Sequence, residues 1–209
     1  MAAGDTDIGI TNKALLFLGS EVITSFQDGT PQATVSANLY KEVKLSTLGM
    51  YRWSFTIAKQ ELARDTVTPN NEWTYQYLMP NDMVTGVPEA VRTSKTPGAP
   101  LFTEWEISTS STGGAVLMTN AVEIHIDYQK IISEGSMPSY FVTLLAYQLA
   151  WHMAEAITDQ TTKSEYWRQV ALGTAAENGR GGFFRQACAI DSGGQTPGVI
   201  GEYLLTDVR

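Results

Sequence analysis

The stretch Val122-Glu123-Ile124-His125-Ile126-Asp127-Tyr128 and the later run Ser139-Tyr140-Phe141-Val142-Thr143-Leu144-Leu145-Ala146-Tyr147-Gln148-Leu149 together decide the fold class. In the first, Val122, Ile124, Ile126 and Tyr128 alternate with Glu123, His125 and Asp127, the period of a half-buried strand. In the second, Phe141, Leu144, Leu145, Leu149, Met153 and Ile157 recur at helical spacing and form a wide apolar stripe. A chain that switches from period two to period 3.6 within one region is α+β. Working outward, strands are expected on one side of this junction and helices on both ends of the chain.

Upstream, Asp5 or Thr6 caps a helix over about 6–19 with Ile10, Ala14, Leu15, Phe17 and Leu18 at helical spacing, and Gly19 stops it. Residues 21–26 read as a short β-rich segment ending in the turn Gln27-Asp28-Gly29. Thr30-Pro31 opens a second helix over about 30–50, with Ala33, Ala37, Tyr40, Leu45 and Leu48 inward. A β-rich insertion over about 53–130 follows. Its expected strands are 53–62, 73–78, 103–108, 115–118 and 122–128, with a short helical turn before Pro88 and a loop over 93–100. The last three strands read as an antiparallel meander with one wet face. Downstream come helices over about 138–158 and 162–178, stopped by Gly179-Arg180-Gly181-Gly182. Beyond them no period is apparent, so the end of the chain reads as an extended apolar arm. The expected architecture is mainly α with a β insertion: about four helices in a bundle, an antiparallel meander between the helix pairs, and a C-terminal arm. Residues 1–190 form a single domain and 191–209 the arm.

Composition narrows function. The chain has 209 residues, 22 acidic against 14 basic side chains, a net charge of −8 and a charged fraction of 17%. The usual fraction is ~25%. A disordered chain would combine high charge with few aromatics, whereas aromatics here make up 10%. Coating nucleic acid needs clustered Lys and Arg, which the acidic balance argues against. Cys188 is the one cysteine, so no intrachain disulfide and no multi-cysteine metal cage is expected, and its apolar neighbours suggest a small, partly buried thiol. The run 140–157 is interrupted by Gln148, His152 and Glu155, so no membrane span is expected. The N-terminus has no basic and apolar leader pattern, which points to a cytoplasm-like place of synthesis.

Chemistry-bearing patterns are sparse. Glu123, His125 and Asp127 share one face of a strand and read as a solvated face of mixed charge. The alternative is a small hydrolase or metal-dependent enzyme built on those three residues. His152 has Glu155 and Gln148 on its helical face but lacks the second histidine of a zinc-binding helix. Neither Gly113-Gly114 nor residues 179–182 follow a strand and open a helix, so neither is a phosphate cradle. No catalytic residue, metal or cofactor is expected. Low charge and many aromatics instead suit interfaces, and the apolar arm suits a segment ordered by a neighbour. A receptor-binding tip module is disfavoured by the two C-terminal helices.

Specific residues resemble a family. Ala14-Leu15-Leu16-Phe17-Leu18-Gly19-Ser20-Glu21 is similar to the opening helix and Leu-Gly-Glu of the tail tubular protein A family, the head-to-tail adaptors of short-tailed phages. The second helix running into Trp53-Ser54-Phe55 is similar as well. Tyr77-Leu78-Met79-Pro80-Asn81-Asp82 resembles a further segment, although Met83 and Val84 replace the usual Tyr-Leu. Glu123-Ile124-His125-Ile126-Asp127-Tyr128, then Met137-Pro138-Ser139-Tyr140-Phe141, resemble the family's strand and helix start. Leu149-Ala150 and Ala156-Ile157-Thr158 continue the likeness, which spans roughly 8–187; from Asp191 onward no family pattern is found.

The resemblance implies a non-enzymatic subunit of a dodecameric ring in the virion neck, assembled in the host cytoplasm. Its partners would be sister subunits, a portal protein and a tail nozzle protein, with DNA passing through the lumen without sequence-specific binding. The arm, carrying Phe183, Phe184, Ile190, Val199, Ile200, Tyr203, Leu204 and Leu205, would dock on the portal. The β region, with Trp73, Tyr75, Tyr77 and Trp105, would face the nozzle.

Overall fold

Thr6 and Gly19 bound the first helix as the sequence reading expects. The structure, a computed structural model, describes residues 5–110 and 113–194. In α1 (Asp7–Leu18) the Thr6 hydroxyl accepts from the Gly9 amide, and Gly19, at φ 72°, returns its own N–H to Leu15 and Leu16. Ile10, Ala14, Leu15 and Leu18 are buried, while Phe17 stays partly exposed and stacks on Trp167. Thr30 caps α2 (Pro31–Gly49) with proline at its first position. The buried stripe of α2 is Ala33, Ser36, Tyr40, Val43, Thr47 and Leu48. Ala37 is exposed and Leu45 half-buried, so the inward face is rotated from the expected one. Its small polar positions fit beneath α3: the Ser36 hydroxyl lies 3.4 Å from Met153 Sδ.

Helix α3 (Ser139–Thr158) is the centre of the helical core and touches α1, α2, α4 and α5. Phe141, Leu144, Leu145, Leu149 and Met153 are fully buried along it. Helix α4 (Thr161–Leu172) ends earlier than residue 178, because Gly173 turns the chain at φ 82° and Thr174 forms a capping box with Glu177 over a 3-10 turn. Where an extended arm is expected, residues 182–192 instead form a fifth helix, α5 (Gly182–Ser192). Phe184, Ala187 and Asp191 are its buried positions, spaced three and four apart, so a helical period was present beneath the glycine stop. Phe183 and Phe184 lie on this helix, with Phe184 edge-on to Trp53 (centroids 6.1 Å) and Phe183 edge-on to Tyr147 (5.4 Å). Ile190 is on the same helix, half exposed. Val199, Ile200, Tyr203, Leu204 and Leu205 lie outside the described residues.

The β region also departs from expectation. Residues 21–26 make no strand. The Asn12 side chain donates to the Ile23 carbonyl (2.8 Å) and accepts from its amide (2.9 Å), taking the place of a neighbouring strand. Trp53 is fully buried and leads into a 3-10 turn at Ser54–Thr56, so strand β1 begins only at Ile57 (Ile57–Glu61). Strand β2 is Tyr75–Leu78. No helical turn precedes Pro88, where Met83 instead bridges to Lys130, and a short strand β3 (Ala90–Arg92) follows. Strands β4 (Trp105–Thr109), β5 (Ala115–Thr119) and β6 (His125–Gln129) complete the set.

These strands do not form one meander. They make two antiparallel three-stranded sheets, β1-β6-β3 and β2-β5-β4, so β5 and β6 lie in different sheets. After β1 the chain crosses between them: the Leu62 amide donates to Ile124 O, whereas Ala63 O receives the Leu78 amide. Leu62, Tyr77, Leu117, Ile124, Ile126 and Tyr128 pack a second core there. The fold is α+β, with five helices and two small antiparallel sheets among the described residues. None of those helices is long and apolar enough to cross a membrane.

Candidate functional site

Strand β6 is the middle strand of its sheet, so its side chains meet neighbours from both sides. The register places Glu61 and Arg92 opposite His125, and Lys59 and Ala90 opposite Asp127. Side chains on directly paired positions share one face and approach within contact distance. The expected row Glu123–His125–Asp127 is thereby divided.

Asp127, almost fully buried, receives Arg92 Nη1 at 2.7 Å and has Lys59 Nζ at 3.8 Å from the same oxygen. A carboxylate so paired is engaged in structural charge-assisted contacts. Glu123 precedes the strand and turns its Oε1 onto His125 Nε2 at 2.6 Å. Glu61, at the end of β1, brings a third group to the same place, and ligand atoms of Glu61, Glu123 and His125 lie within 4.8 Å of one another.

Glu61, His125 and Asp127 border a cleft of about 530 Å³ between the β1–β6–β3 face and the Ser94–Ala99 loop, lined also by Lys59, Arg92 and Lys95. The hydroxyls there, Ser94 and Thr96, bond to each other at 2.9 Å. Glu61 and Arg92 were invisible to sequence reasoning. Their place beside His125 depends on strand register, which pairs positions far apart in the chain. The alternating run at 122–128 identified one strand but not its partners.

Other singled-out residues have plainer roles. Cys188 is half-buried, and desolvation followed by the nearby Asp191 carboxylate pushes its thiol up to about 11, which makes it a poor nucleophile. His152 lies against Trp151 (centroids 4.1 Å), and desolvation lowers its pKa below the usual range. Among the aromatics expected to face a nozzle, Tyr77 is a core residue whose hydroxyl donates to Ala121 O at 2.8 Å. Trp73, Tyr75 and Trp105 are half-buried. Trp73 donates to Glu106, Tyr75 carries the Arg64 guanidinium 3.7 Å above its ring, and Trp105 donates to Phe102 O.

A further polar node joins the helices to the β region. Asp191 on α5 accepts from the Ser54 amide (2.9 Å), the Ser54 hydroxyl (2.8 Å) and the Tyr140 hydroxyl (2.6 Å). Around it Trp53, Phe55, Tyr140 and Phe141 interlock, with Trp53 and Phe55 each 5.2 Å from Phe141. Comparison with protein-family models and with curated proteins returned no match for this chain.

Proposed function

We propose that the chain is a structural head-to-tail adaptor of a phage virion. It would form a ring between portal and tail nozzle through which DNA passes. The observation that carries the reading is the joint of Trp53 and Phe55 with Tyr140 and Phe141. Those residues belong to two of the motifs that resemble the tail tubular protein A family, and they meet where the β region leaves and rejoins the helices. Two sequence motifs separated by the whole insertion thus act as one packing unit, as expected if both belong to a shared scaffold.

In this reading helices α1 to α4 are the bundle that packs beside its neighbours in the ring, and the two sheets project from it toward the nozzle. The segment beyond α5 is the portal arm. The protein has no catalytic role, and the engagement of Asp127 by Arg92 and Lys59 supports that against an enzyme using Glu123, His125 and Asp127. Native mass spectrometry and negative-stain microscopy of the purified chain, alone and mixed with its portal protein, test the proposal. A ring, alone or on the portal, is the expected result. A monodisperse monomer that never associates with the portal would overturn it.

A further inference from the structure

We propose that Glu61, Glu123 and His125 form an open three-ligand site for a divalent transition-metal ion of the Zn²⁺ class. The inference goes beyond the adaptor reading and does not depend on it. Three observations combine. The first is donor type: one imidazole nitrogen and two carboxylates converge, each offering a ligand atom within 4.8 Å of the others. An imidazole suits Zn²⁺, Co²⁺ or Ni²⁺, whereas Ca²⁺ and Mg²⁺ take oxygen ligands.

The second is charge. Of the basic groups that line the cleft, Arg92 and Lys59 are directed at Asp127, and Lys95 forms no ion pair with Glu61 or Glu123. Among the described residues, Glu61 has no Lys or Arg within ion-pair distance, and Glu123 has only His125. Two carboxylates therefore converge on one imidazole with no fixed cation between them. The third is placement. His125 is held by pairing on both sides, to Glu61 in β1 and to Arg92 in β3, and its side chain is 15% exposed. Its backbone is thus a fixed point, and its ring meets Glu123 through Nε2.

Zinc bonds of ~2.0–2.2 Å bring ligand atoms of a tetrahedral site to roughly 3.3 Å apart. Glu61 and Glu123 are exposed, which leaves their side chains room to rotate toward that spacing. Glu61 and His125 line the cleft, so the remaining coordination positions are open to water from that side. The ion would tie the end of β1 to the entry of β6.

Isothermal titration of the full chain with Zn²⁺, and separately with Mg²⁺, is the first test. One Zn²⁺ per chain is expected, with no comparable Mg²⁺ binding, and with affinity weakened at least about tenfold in His125→Ala and in Glu61→Gln. Because the chain has two histidines, NMR of the unaltered protein supplies a readout independent of any variant. Zn²⁺ must shift the His125 imidazole signals and leave those of His152 in place. Absence of saturable Zn²⁺ binding, binding by both variants as tight as by the parent, or perturbation of His152 in place of His125 would each overturn the site.

Discussion

At the scale of single residues, Asp191 and Tyr140 show how a polar contact can fix an element. Tyr140 is half-buried at the start of α3, and its hydroxyl donates to Asp191 Oδ1 at 2.6 Å. Burial, and then the adjoining carboxylate, hold the phenol proton well above the usual tyrosine range. Tyr40 behaves alike, desolvated and bonded to Glu134. In the unfolded chain both phenols ionise near ~10. Above that pH the unfolded state binds fewer protons than the folded one, so stability falls as pH rises and is fully present below it. Replacing Tyr140→Phe removes one donor from a buried carboxylate and is expected to cost about 1–3 kcal/mol at neutral pH. The same change removes Tyr140's share of the alkaline loss. Urea unfolding at neutral pH and at about pH 10.5 checks both effects. A variant as stable as the parent, or one whose stability falls just as steeply with pH, would show that this contact contributes nothing.

At the scale of elements, the turn from α4 into α5 is a tightly constrained joint. Gly182 has φ +53°, and a Cβ there would stand 2.6 Å from the Gly173 amide nitrogen and 2.7 Å from the Val170 carbonyl oxygen. Those are backbone atoms that cannot swing aside, so Gly182→Ala is expected to cost about 1–3 kcal/mol and to loosen α5. Trypsin, cutting at Arg180 and Arg185 on either side of Gly182, should cleave the variant faster than the parent. Gly193→Ala, at φ −61° with its nearest contact at 3.4 Å, should change stability by less than about 0.5 kcal/mol. Equal cleavage of Gly182→Ala and parent would refute the constraint. This joint also marks where the sequence stopped being readable. The glycines at 179–182 signal a helix stop, but α4 already ends at Leu172 before Gly173, and Gly182 itself opens the next helix. Helices with strong caps and long stripes, such as α1 with Thr6 and Gly19, were legible from local chemistry alone. Strand existence was legible from alternation at 73–78 and 122–128, and from short runs bounded by turn signals at 103–108 and 115–118. Sheet membership was not, because it depends on which distant strand each one meets. The side chain of Asn12 standing in for a strand beside Ile23 has no periodic signature at all. The cluster at His125 was half legible for the same reason: Glu123 is a neighbour in sequence, Glu61 only in register.

At the scale of the whole molecule, the low charged fraction and net charge of −8 fit a surface divided among neighbours. In the adaptor reading, carboxylates facing a lumen would repel passing phosphates and keep DNA from adhering. A deletion that tests the proposed portal contact must respect the fold. Deletion from Asp191 onward would remove the acceptor of Ser54 and Tyr140, so lost docking could reflect a damaged helical core. A chain ended after Gly194 keeps α5 and its contacts. That truncation is expected to unfold at the same temperature as the parent yet to lose docking onto the portal in a pull-down or by electron microscopy. Ile190, half exposed on α5, separates the remaining explanation. If Ile190→Asp abolishes docking while the truncated chain docks normally, the portal contact lies on the helix face. Residues 195–209 would then not be the arm, and the ring would meet its portal through α5.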